Sequence, residues 1–189
     1  LREICCDPRL VADNWDGGSA KLEACMDLVT AAVEGGHRIL LFSQFTSMLE
    51  LLAKRLDEAG VSHFTLQGST PKPVRAELVR RFNSGEADVF LISLRAGGTG
   101  LNLTAADIVI HYDPWWNVAA QNQATDRAYR IGQRNPVQVY KLIAQDTIEE
   151  KIVELQQAKQ DLAETVTGSA DGVILSMKPE ELLQLLQEE

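Results

Sequence analysis

The 189 residues predict an α/β fold, a parallel sheet sandwiched by helices, and two observations carry that prediction. The apolar run Arg38-Ile-Leu-Leu-Phe42 has no polar alternation, the mark of a strand buried on both faces. Strand-like runs also alternate with amphipathic, helix-length stretches, at spacings that fit short right-handed crossovers.

The elements follow in order. Residues 1–11 read as a helix stopped at Pro8, because proline disfavours helix in the residue before it. Residues 12–18, rich in Asp, Asn and Gly, form a loop. Leu22, Cys25, Met26, Val29 and Val33 then recur at helical spacing until Gly35 and Gly36 end the helix. After the strand at 38–42, Ser47 with Glu50 has the form of a capping box, and Leu49, Leu52 and Leu56 continue a helix to Gly60. A strand at 63–66 leads into the turn Gln67-Gly-Ser-Thr-Pro71, which offers backbone N–H groups and two hydroxyls. Pro73 can open the next helix, closed by Asn83-Ser-Gly85. Further strands are expected at 88–93, 108–112 and, by alternation, 137–143. From Asp146 an amphipathic helix begins, with Thr147 and Glu150 as a second capping box and Ile148, Ile152, Leu155 and Leu162 on one side. Residues 168–172 read as a flexible break, and Pro179 starts a last, acidic helix. The implied organisation is a helical lead-in over 1–18, a sheet domain over 19–145, and C-terminal bracing helices over 146–189.

Hydrophobic residues make up 45% and charged residues 24%, a globular composition with no apolar run long enough to span a bilayer. Cys5, Cys6 and Cys25 form neither an even disulfide framework nor a spaced metal-ligand set, which fits a reducing, cytoplasmic compartment and no metal site. A net charge of −9 argues against nucleic-acid binding when taken alone. Its distribution weakens that argument, because residues 140–189 hold 4 basic and 11 acidic side chains. Between Gly68 and Arg95 the balance is positive, so a local basic face is open.

Three stretches carry candidate chemistry. Gly97-Gly-Thr-Gly100 follows a strand, yet lacks the Gly-x-Gly-x-x-Gly that opens the long helix of a dinucleotide fold. His111-Tyr-Asp-Pro-Trp-Trp-Asn117 places two tryptophans directly after a strand, while His111 and His63 lack metal-spaced partners and read as packing residues. Arg127 and Arg130 would project from one face of one helical turn, either toward something anionic or as a solvated face with Asp126 as ion-pair partner.

Taken together these motifs resemble the Swi/Snf-like DNA-dependent ATPases of helicase superfamily two, over residues 1–167. Gln123, Asp126, Arg127, Arg130, Gly132 and Gln133 match the sixth motif, with Tyr129 where the family usually has His. Ser93 to Asp107 resembles the fifth motif, Phe42-Ser-Gln-Phe45 the fourth, and Gly68-Ser-Thr-Pro71 a phosphate-contacting motif beside it. The resemblance implies a RecA-like lobe in which Arg127 and Arg130 are catalytic arginine fingers, and Gly98, Gly100, Asn102 and Gln123 approach the nucleotide. It places Ser43, Gln44, Gly68, Ser69, Ser93, Arg95 and Trp116 against double-stranded DNA. The C-terminal helices point to the prokaryotic branch and hence to the nucleoid. No Gly-x-x-x-x-Gly-Lys-Ser/Thr and no Asp-Glu-x-His occurs, so the cradle for ATP and Mg2+ is expected on an N-terminal RecA-like lobe of the same polypeptide. The expected function is the second motor lobe of a DNA translocase, acting on bare DNA or a DNA-bound protein complex. The alternative is a non-catalytic module that binds nucleic acid or protein.

Overall fold

A computed structural model describes residues 1–12, 14–94, 101–115, 121–122 and 136–168. The chain divides into two compact units, Leu1–Val153 and Glu154–Glu189. In the first, α1 (Arg2–Cys6) and a 3-10 turn (Pro8–Leu10) precede α2 (Ala20–Glu34), β1 (Ile39–Ser43), α3 (Thr46–Glu58), β2 (His63–Leu66) and α4 (Lys72–Asn83). β3 (Val89–Ser93), β4 (Ile108–His111) and β5 (Gln138–Lys141) follow, and α5 (Ile148–Gly168) begins in this unit.

The five described strands form one parallel sheet in the order β2-β3-β1-β4-β5. β1 lies at its centre, with Ile39 in register with Val89 on one side and with Ile108 on the other. All five of its residues are buried, which is why the run carries no polar alternation. Ile39 and Leu41 point into a core shared with α2 and α3, through Leu22, Cys25, Met26, Val29, Leu49, Leu52 and Leu56. Leu40 and Phe42 point the other way, into a core with Phe82 of α4 and with Leu101, Leu103 and Ala106. The period of two along an extended chain thus feeds both layers from one strand.

Local chemistry sets the helix ends. The Ser19 hydroxyl accepts from the Leu22 N–H, and Gly36, at φ +79°, takes the left-handed conformation that ends α2. The capping box expected at Ser47 and Glu50 does not form. α3 begins earlier, at Thr46, and the buried Ser43 hydroxyl accepts from the Phe45 N–H at 3.1 Å. α1 ends at Cys6, one residue before Asp7, whose carboxylate caps the 3-10 turn by accepting from the Arg9 N–H. At α5 the second box forms one step out of its usual register: the Thr147 hydroxyl accepts from the Glu149 N–H, and Glu150 accepts from the Asp146 N–H.

The first ten residues belong to the first unit. Cys6 is in its core, and its carbonyl accepts from the Tyr112 hydroxyl at 2.9 Å. Lys21 and Glu149 form a buried ion pair at 2.6 Å, the Lys21 ammonium lying 5.1 Å from the Tyr112 ring centroid, and Glu149 also accepts from the Ala144 N–H. α5 thereby starts from a fixed point, and Ile152 is buried. In the second unit α5 continues through Gly168, which the sequence placed in a break, and Leu155 is exposed. The rest of that break and the acidic helix lie outside the described residues. No helix among the described residues is long and apolar enough to cross a membrane.

Candidate functional site

In a parallel sheet every strand delivers its following loop to one edge, and in open α/β folds that carboxyl edge is where ligands bind. Here the exits of β1, β2 and β4, together with the last residue of β3, line a cavity of about 630 Å³. Gln44, Phe45, Thr46 and Ser47 come from the exit of β1 and the first turn of α3; Gln67, Gly68 and Ser69 from the exit of β2; Ser93 from the end of β3; Trp115 from beyond β4; and Glu3 from α1.

The β2 exit is a closed turn. The Thr70 N–H donates to the Gln67 carbonyl at 3.1 Å, and the Gln67 N–H donates to the Thr70 hydroxyl at 3.1 Å. Arg75, one turn into α4, grips it from behind by donating to the carbonyls of Thr70 and Gly68, each at 2.7 Å. The guanidinium thus fixes the turn and brings a positive charge close to it. A Cβ added to Gly68 would meet nothing within 4 Å. Packing among the described residues therefore does not require glycine here, and its missing side chain leaves room for a group approaching from outside. The cavity is also walled by the N-terminal turn of α3, the positive end of a 13-residue helix.

Of the residues expected to contact DNA, Gln44, Gly68, Ser69 and Ser93 line this one cavity. Ser43 does not. Its side chain is buried and its hydroxyl donates to Asp113 at 2.6 Å, so it stands behind the surface as a support. Asn102, expected near the nucleotide, is exposed and does not line this cavity, and its carbonyl accepts from Asn83 at 2.8 Å. Asn83 also accepts from the Ala105 N–H and so staples residues 102–105 to the end of α4. Arg95, Gly98, Gly100, Trp116, Gln123, Arg127 and Arg130 lie outside the described residues.

Sequence reasoning passed over Asp113, Arg75, Asn83 and Trp115. Asp113 is 1% exposed and accepts from the Ser43 hydroxyl and from both the backbone and the side-chain amide of Gln44. Burial raises its carboxyl pKa against the pull of those hydrogen bonds. The available signal was an acid directly after an apolar strand and before Pro114, a place where an unpaired carboxylate would be costly. His111 packs as expected: it is buried and stacked on Phe42 with ring centroids 5.5 Å apart.

The model of the helicase conserved C-terminal domain matches residues 20–132. The chain belongs to this family. As a helicase C-terminal domain it is 40% identical, over 99% of its length, to an uncharacterized ATP-dependent helicase of Mycoplasma pneumoniae, of which it spans 18%. It is 41% identical over 89% of its length to the human chromatin-remodeling ATPase INO80, spanning 11% of that protein. The chain therefore spans less than a fifth of these relatives. Among solved structures it resembles the C-terminal part of the Fun30 ATPase domain, with a TM-score of 0.70 and 33% identity, covering 82% of this chain and 53% of that one. The domain has the RecA-like α/β fold, and its relatives are Swi/Snf-like ATP-dependent helicases and remodellers.

Proposed function

We propose that this domain is the second motor lobe of an ATP-dependent translocase on double-stranded DNA, with the cavity at the carboxyl edge as its seat for the DNA backbone. The observation that carries the reading is the convergence of Gln44, Gly68, Ser69 and Ser93, from the carboxyl ends of three strands, on one cavity. The open space at Gly68 and the helix N-terminus beside it suit a phosphodiester, which needs close backbone approach and donors aimed outward.

ATP, when bound, supplies the free energy of phosphoryl transfer. In this reading its phosphates and Mg2+ are held mainly by another lobe, and this chain alone lacks turnover. This chain's part is to bring Asn102, Gly98, Gly100 and Gln123 to the nucleotide, and Arg127 and Arg130 to the charge that develops on the transferring phosphoryl group. The Asn83 staple suits the role, since it steadies the backbone at Asn102 and leaves the side chain exposed.

The test is Arg130→Ala in the full-length enzyme. An arginine finger acts mainly on the transition state, so DNA-stimulated hydrolysis falls by roughly 10³–10⁵ while DNA affinity stays nearly unchanged. Arg130→Lys rescues poorly, because an ammonium cannot reproduce the planar fork. Near-normal turnover of Arg130→Ala would refute the assignment.

A further inference from the structure

We propose that Asp113 is the positioning residue of the cavity: its carboxylate, set behind the rim, locks Gln44 in the one orientation that meets DNA. The inference rests on the reading of the cavity as a DNA seat and adds the residue that orders it.

One Asp113 oxygen accepts from the Ser43 hydroxyl at 2.6 Å and from the Gln44 N–H at 3.3 Å. The other accepts from the same N–H at 3.3 Å and from the Gln44 side-chain nitrogen. All these donors belong to two consecutive residues at the exit of β1, whereas Asp113 stands at the exit of β4. The carboxylate therefore fastens together two of the loops that build the cavity. Both Asp113 oxygens face donors, and the Gln44 amide turned toward them presents its nitrogen inward. Pro114 extends the clamp, its carbonyl accepting from Arg2 at 2.9 Å and from the Gln44 side chain at 3.5 Å. Asp113 is almost wholly buried, so it touches no ligand itself; Gln44, which it holds, lines the cavity. A buried carboxylate is costly unless its acceptor sites are filled, and here the filling groups are the residues the cavity needs in place.

The experiment titrates duplex DNA into the full-length ATPase and reads two quantities, turnover at saturating DNA and the DNA concentration for half-stimulation. Gln44→Ala raises the half-stimulating concentration about tenfold, as loss of one contact does. Asp113→Asn turns a donor toward the donors of Gln44 and raises it comparably, with turnover at saturation within about twofold of wild type. In the double variant the effects fail to add, because Asp113 acts through Gln44. Full additivity would overturn the proposal. An Asp113→Asn effect confined to thermal stability, with Gln44→Ala still impaired, would overturn it and leave the DNA seat standing. Silence of Gln44→Ala would remove the DNA seat and the proposal with it. Asp113→Ala covers an Asp113→Asn variant that does not fold: it leaves the Gln44 side chain unheld and raises the half-stimulating concentration comparably. An unchanged half-stimulating concentration in Asp113→Ala, or failure of both Asp113 variants to fold, also overturns the proposal.

Discussion

Burial, with a smaller contribution from Lys141 on the neighbouring strand, lowers the His111 pKa from 6.5 to about 4. The sign follows from comparing the folded and unfolded chains. Between these pH values the unfolded chain takes up a proton at this residue and the folded chain does not, so folding stability is lost as pH falls through the interval. That interval corresponds to about 3 kcal/mol. Urea unfolding at pH 7 and pH 4.5 should show a smaller acid loss in His111→Phe than in wild type, and equal losses would refute the assignment. His111 was legible as a packing residue because it extends a buried strand without a metal-spaced partner. Asp113, two residues on, was not. Its partners lie 69 and 70 positions away, and no periodic pattern in a single sequence connects such distant residues.

α3 shows how a correct element can be reached with the wrong cap. The leucine spacing was enough to place the helix, since Leu49, Leu52 and Leu56 all enter the core. The sequence also offered Ser47 and Glu50 as a capping box, whereas the helix starts at Thr46, just after Phe45, whose N–H donates to the Ser43 hydroxyl at the end of β1. The two serines should therefore respond differently. Ser43→Ala removes a buried hydroxyl that serves Asp113 and the Phe45 N–H and should cost about 1–3 kcal/mol. Ser47→Ala should stay within about 0.5 kcal/mol. Chemical denaturation of both variants decides, and equal costs would restore the expected cap. The turn after β2 was readable from its composition, but the Arg75 grip was not, because in sequence Arg75 is one of several cations on α4.

For the molecule as a whole, the motif order made the fold legible, and a parallel sheet then brought loops distant in sequence to a common edge. A net charge of −9 opposes DNA, so the few local cations and helix N-termini must compete with a repulsive background. DNA binding by this chain alone should be weak and steeply salt-dependent, its log affinity falling with log salt by roughly 0.9 per phosphate engaged. Fluorescence anisotropy with labelled duplex at two salt concentrations measures this. Tight, salt-insensitive binding would contradict the picture of backbone contacts at the carboxyl edge.

The central place of β1 also has a consequence for biosynthesis. As the chain leaves the ribosome, β1 emerges before β2, yet neither of its neighbours in the sheet is β2; they are β3 and β4. Before Val89 and then Ile108 have been made, the hydrogen-bonding edges of this fully buried strand have no partner strand. Closing such long loops is entropically slow. The nascent domain therefore carries an open, aggregation-prone strand from the end of β1 at residue 43 until β4 is complete at residue 111, and its interval of greatest need for a chaperone ends only after residue 111 has cleared the exit tunnel.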